Sequence, residues 1–167
     1  MDGYEQAILV GLALSLAGLG WHWKAVRVLM IVLVAVSLWS ISLYQGDLAR
    51  AEQVFFLKYM ISSQTAIMWM CFLYAMSGVA YWAGLLAHAE GPARAGTGFA
   101  WSATAMGFIG LLVRWYESYL IGTDVGHIPI SNLYEVFVLF CVITALLYLY
   151  YEGRYATRKL GAFVLLI

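Results

Sequence analysis

Apolar runs of about twenty residues, parted by only a few polar positions, leave this chain few ways to fold. A helix needs about twenty residues to cross a hydrocarbon core roughly 30 Å thick. Inside that core every backbone N–H and C=O must be paired internally, which leaves helices and closed barrels. Five such runs are read at 4–19, 25–44, 66–87, 99–120 and 132–151, and a sixth begins at Leu160 and is cut at Ile167. The first is the shortest and is rich in glycine. Of the 167 residues, 64% are hydrophobic and 11% charged, against about 25% charged in a soluble domain. No stretch is polar enough for a separate water-soluble domain. The expected fold is an all-α polytopic transmembrane helical bundle, a single domain over 1–167, with five spans plus the start of a sixth. A chain seldom stops eight residues into an apolar helix, so the sequence reads as an N-terminal or internal fragment of a longer protein.

The polar positions orient the spans. Lys24 and Arg27 follow the first, Arg94 the third, and Arg154, Arg158 and Lys159 the fifth. Cytoplasmic loops carry the excess of Lys and Arg, so these six of nine cations are placed on the cytoplasmic side. The N-terminus and loop 122–130 then face the periplasm or its equivalent. Asp2 and Glu5 precede the first run with no Lys or Arg, so it lacks the basic start of a signal peptide and is expected to stay in the membrane. Aromatic rings with a polar edge favour the interface. Trp21, Trp23, Trp101, Tyr148 and Tyr151 are therefore placed at the inner boundary, and Tyr44, Tyr59, Trp115, Tyr119 and Tyr134 at the outer one. Segment 50–59 is read as an interfacial stretch along the outer surface.

Charged groups at membrane depth are costly and mark sites or pathways. Gly107, Gly110, Arg114 and Glu117 are spaced by three or four and share one helical face. The small residues predict close helix packing there, and Arg114 and Glu117 are placed to pair. Such a pair suits two roles: a brace that fixes packing, or an arginine that holds a carboxylate beside the outer loop. His127 lies between Gly126 and Pro129 in that loop. A histidine so presented can ligate metal, bind a propionate or donate a proton, and it can equally be a loop residue. Asn132 and Glu135 fit a helix N-cap and its N3 partner opening the fifth span, with Glu135 within reach of the same loop.

Other candidates read as scaffold. Cys71 and Cys141 lie mid-run without CxxC spacing and are taken as small apolar residues. His22 and His88 are placed at the inner interface, and Met68, Met70 and Met76 are read as lipid or packing contacts. No metal-ligand spacing points to zinc. A net charge of +0, with no basic tract or phosphate loop, gives no argument for nucleic acid.

The runs 112–119 (LVRWYESY) and 126–137 (GHIPISNLYEVF) closely resemble the CcsA/CcsB-type cytochrome c biogenesis proteins of the system II pathway. Segments 45–50 (QGDLAR) and 150–158 (YYEGRYATR) resemble its proteobacterial branch, so the likeness runs over most of the chain. Proteins of that family handle haem at the outer face of the bacterial cytoplasmic membrane. With a ResB-type partner they present it to a CxxCH segment of apocytochrome c, where thioether bonds form. The resemblance thus implies haem b as cofactor, and a ResB-type protein, the apocytochrome and the lipid bilayer as partners. It implies a component of a cytochrome c synthase complex, with this fragment alone inactive. The family's Trp-rich signature, similar to WGxxWxWDPKE, and its flanking haem-ligating histidines have no counterpart here and are expected beyond Ile167. One more span is expected before the point where this chain begins. His127, Arg114, Glu117, Asn132 and Glu135 are the expected contributors to a haem-binding outer cavity, His127 and Arg114 toward the propionates. Composition and spacing alone are equally open to a transporter or channel subunit, or to a purely structural membrane subunit.

Overall fold

The computed structural model describes residues 3–122, 128 and 130–165, and all regular structure among them is helical. Helix α1 spans Gly3–His22 and α2 Lys24–Tyr44. A short α3, Arg50–Gln53, and one π-helical turn, Leu57–Ile61, lead into α4, Ser63–Leu86. Helix α5 spans Glu90–Ile121, α6 Leu133–Tyr155, and α7 is a single turn, Gly161–Val164. Four of these, α2, α4, α5 and α6, are long and apolar enough to cross a membrane; α1 is apolar over Gln6–His22, a shorter stretch. Helix α5 starts nine residues before the expected span. Pro92 does not stop it, because the first four amides of a helix have no internal partner to lose.

Helices α4 and α5 run antiparallel across a three-residue turn and form the most extensive packing in the molecule. The sequence explains why. Gly96, Ala100, Ala103, Gly107 and Gly110 lie on α5 at alternating spacings of four and three, all buried. That alternation keeps one face toward a partner helix. A Cβ on Gly107 would lie 2.4 Å from Val142 and 2.6 Å from the sulfur of Met70; one on Gly110 would lie 2.7 Å from Ile67. Small residues there bring α4 and α6 to van der Waals distance, the usual device where the surrounding solvent is lipid. The expectation for Gly107 and Gly110 is met.

The same stripe continues through Arg114 and Glu117 without a change of spacing. Its counterpart on α6 reads Glu135, Val138, Val142, Ala145, Leu149 and Glu152, all buried. A carboxylate thus closes each end of the inward face of α6. The outward faces are apolar too: Phe72, Val79, Phe137, Phe140 and Leu147 are exposed, as a lipid-facing surface requires.

Helix α2 packs on α5 through Leu29, Leu33 and Tyr44, with Leu57 and Ile61 of the π turn in the same cluster. Segment 50–61 is two-faced: Leu57 and Ile61 are buried, while Phe55, Phe56, Tyr59 and Met60 are exposed. The rings of Trp101 and Tyr150 lie edge-on to Trp23 at 5.3 and 5.5 Å, tying the start of α2 to the end of α6. Three of the aromatics expected at the boundaries are turned into the bundle. Tyr44, Trp115 and Tyr148 are buried, two of them because their hydroxyls serve inward carboxylates. The indole N–H of Trp115 has no partner among the described residues. Met70 is buried and Met68 and Met76 are exposed. Cys71 and Cys141 are free thiols.

Candidate functional site

The Arg114 end of the bundle gathers four helices around two carboxylates. Glu117 comes from the last turns of α5, Glu135 from the first turn of α6, Tyr44 from the end of α2 and Ser63 from the start of α4. Arg114 Nε donates to Glu135 Oε1 at 3.2 Å, and its Nη1 lies 3.8 Å from Glu117 Oε2. The expected pairing of Arg114 with Glu117 is therefore the longer of two contacts. Glu135, one helix away, holds the guanidinium more closely.

Glu117 draws on other donors. Tyr44 Oη donates to its Oε1, Ser63 N–H to the same oxygen at 3.1 Å, and Ser63 Oγ to Oε2 at 2.5 Å. The Ser63 amide opens α4 and has no partner within its own helix. A carboxylate placed there meets both an orphan donor and the positive end of the helix dipole. Ser62 prepares the position: its Oγ accepts from Thr65 N–H at 3.4 Å as the N-cap, and its own amide closes the π turn on Leu57 O at 3.2 Å.

Glu135 sits in the same kind of environment. Asn132 Oδ1 accepts from Glu135 N–H at 2.8 Å, and Asn132 Nδ2 donates to Glu135 Oε1 at 2.9 Å. Ser131 N–H and Oγ reach Oε2 at 3.0 and 3.3 Å. The expected cap is present, with Glu135 reaching back to Ser131 rather than to the N-cap amide. Arg114, Glu117, Asn132 and Glu135 are thus brought together. His127 lies outside the described residues.

Beside this network a cleft of about 620 Å³ opens between the segment after α2 and the start of α4, lined by Tyr44, Lys58, Ser63, Gln64, Arg114 and Glu117 among others. Two cations, Arg114 and Lys58, face it, as do the carboxylates of Glu117 and Glu52. Among the described residues no carboxylate lies within ion-pair distance of Lys58, whose Nζ lies 5.6 Å from the centre of the Tyr59 ring. Arg114 and Lys58 give the cleft cationic donors for an acidic group, beside the two carboxylates. No histidine, cysteine or methionine lines it among the described residues, and its Tyr44 hydroxyl is engaged by Glu117. Nor do the described residues contain any cluster of three His, Cys, Asp or Glu suited to a metal ion.

A second buried carboxylate centre, absent from the sequence reading, lies at the other end. Glu152 Oε2 accepts from Tyr81 Oη at 2.5 Å and Tyr148 Oη at 2.7 Å; Oε1 accepts from Thr97 Oγ1 at 2.5 Å and Arg158 Nε at 3.2 Å. Tyr81 is held between Gly96 and Gly161, where an added Cβ would lie 3.0 and 2.8 Å from its ring. Twenty residues of α5 separate Thr97 from Glu117, so the two centres stand roughly 30 Å apart, about the thickness of a hydrocarbon core. The available signal was the α6 stripe, which places Glu135 and Glu152 in one register seventeen residues apart. Comparison with protein-family models, curated proteins and solved structures finds no match to this chain.

Proposed function

We propose that this chain is part of a membrane complex that delivers haem to the outer face of a bacterial cytoplasmic membrane and attaches it to the CxxCH segment of apocytochrome c. The likeness of 112–119 and 126–137 to the system II proteins supports the reading. The observation that carries it is the cleft beside that same segment, with Arg114 and Lys58 among its lining residues. Haem has two propionates at one edge, and a guanidinium and an ammonium are fitting receptors for carboxylates. Arg114 and Lys58 suit the propionate edge, and among the described residues no histidine, cysteine or methionine lines the cleft, so no step is routed through iron. In this reading the bundle continues to five spans plus the start of a sixth, with the N-terminus and loop 122–130 outside. A ResB-type protein is the membrane partner.

A second reading has its own observation. Every oxygen of Glu117 and Glu135 already accepts hydrogen bonds from within the chain. In that reading Arg114 is only a brace of a structural membrane subunit. Arg114→Ala and His127→Ala in the full-length protein separate the two. Holocytochrome c yield, normalised to the amount of the variant in the membrane, is expected to fall at least tenfold for Arg114→Ala, with haem absorbance of the purified protein reduced. Unchanged normalised yield would remove that residue from the site, and a yield that falls only with abundance would establish the brace.

A further inference from the structure

The end of the bundle that carries Glu152 also carries most of the positive charge. Lys24, Arg27, Arg94, Arg154, Arg158 and Lys159 lie there against two carboxylates, Glu90 and Glu152. A chain of zero net charge is therefore polarised along its axis. Within this end a cleft of about 300 Å³ lies between the α4–α5 turn and the segment that follows α6. His88, Arg158 and Lys159 line it, with Tyr81 and the exposed Glu90.

Arg158 is held in place from two sides. Its Nε donates to Glu152 and its Nη1 to Glu90, each at 3.2 Å, which leaves Nη2 outside both contacts. The buried carboxylate thus fixes a guanidinium whose remaining donors are available to a ligand. Lys159 is exposed, and among the described residues no carboxylate lies within ion-pair distance of it. The walls of the cleft are the ends of two helices: His88 follows α4 and Ala156 caps α6, both with the left-handed backbone usual at helix C-termini. Leu86 and Leu160, neighbours in sequence of lining residues, are exposed, so apolar surface adjoins the cleft.

We propose that this cleft binds a phosphate group at the membrane boundary, and that an anionic phospholipid headgroup is its natural source. Arginine and lysine donors match phosphate oxygens. The cations that line the cleft face the headgroup directly and draw acidic lipid, and the adjoining leucines meet acyl chain. The site is separate from the haem reading and stands or falls without it.

The test uses the full chain purified in neutral detergent, titrated with phosphatidylglycerol or phosphatidylcholine and read by native mass spectrometry of the retained lipid. Phosphatidylglycerol is expected to bind in preference to phosphatidylcholine. Lys159→Gln, an exposed substitution that spares Glu152, is expected to weaken it about fivefold. Arg154→Gln, at the same end but outside the cleft, is expected to leave it unchanged. Arg158→Gln should weaken it further, with the melting temperature followed in parallel because Glu152 loses its cation. Inorganic phosphate at millimolar concentration distinguishes the sources: no displacement supports the lipid headgroup, and displacement supports a site for free phosphate. Equal binding of the two lipids, an unaltered affinity in Lys159→Gln, or an equal loss in Arg154→Gln would each overturn the proposal.

Discussion

The two ends of the α4–α5–α6 bundle bury carboxylates by different means. At the Arg114 end, Glu117 meets the first amide of α4 and Glu135 stands in the first turn of α6. Both draw on orphan N–H groups and on the positive end of a helix dipole, so one arginine serves two acids. At the other end Glu152 lies in the last turn of α6, where unpaired carbonyls repel an anion. It is surrounded instead by three hydroxyls and by Arg158. Helix polarity decides which side chains must accompany a buried acid. Where backbone amides converge, few cations are needed. Where carbonyls converge, the sequence has to supply a full set of side-chain donors.

That contrast predicts unequal costs of removal. Glu152→Ala leaves the Tyr81, Tyr148 and Thr97 hydroxyls without their acceptor and Arg158 with only the exposed Glu90. Three buried hydroxyls without an acceptor cost about 3 kcal/mol or more, and Arg158, 35% exposed and still paired with Glu90, adds little. Glu117→Ala orphans the Ser63 amide and two hydroxyls, while Arg114 keeps Glu135, which points to about 2–3 kcal/mol. Reversible unfolding of both variants in the same bilayer mimetic gives the ranking. A larger loss for Glu117→Ala would mean that Arg114 depends on both acids and that the contrast between the ends is wrong.

How much of this was legible beforehand follows from the solvent. Length and hydropathy place α2, α4, α5 and α6 within a few residues, apart from the early start of α5. They do not say which face of each helix turns inward, because the lipid-facing side is apolar as well. In a soluble bundle polar residues would mark the outside. Here only small residues mark the inside, so Gly107 and Gly110 located Arg114 and Glu117, and the Asn132–Glu135 spacing located the cap. Tyr44 and Ser63 were hidden, since their bonds to Glu117 span 73 and 54 positions and depend on how α2 and α4 are rotated. Tyr148 read as an interfacial ring for the same reason. Its hydroxyl reaches Glu152 one turn away, a pair open to inspection once α6 is indexed from Glu135.

The small-residue stripe that joins the two ends offers a sharper test. Gly107→Ala puts a methyl at 2.4 Å from Val142 and must separate α5 from α6 or α4. Overpacking of that kind costs about 1–3 kcal/mol. Gly98→Ala, on the same helix with nothing within 4 Å of the added atom, is expected to gain up to about 1 kcal/mol from helix propensity. Equal effects at both positions would show that the stripe does not set the spacing of the bundle, and with it the geometry of either carboxylate centre.

The smallest expected effect tests whether the Arg114 end rests on helix amides in the way argued. Asn132 both caps α6 and donates to Glu135. Asn132→Ala removes both contacts, for a loss of about 1 kcal/mol. Asn132→Asp is the more revealing change. At an ordinary exposed N-cap, Asn and Asp are nearly equivalent. Here the aspartate keeps the acceptor for the Glu135 amide but exchanges a donor for a second negative charge, in contact with a carboxylate that already shares its arginine. The substitution is therefore expected to destabilise at least as much as alanine, and raised salt should relieve part of the loss in Asn132→Asp alone. If the aspartate variant matched the parent protein in thermal unfolding, the Asn132 donor to Glu135 would contribute nothing, and the Arg114 end would rest on its backbone amides and arginine alone.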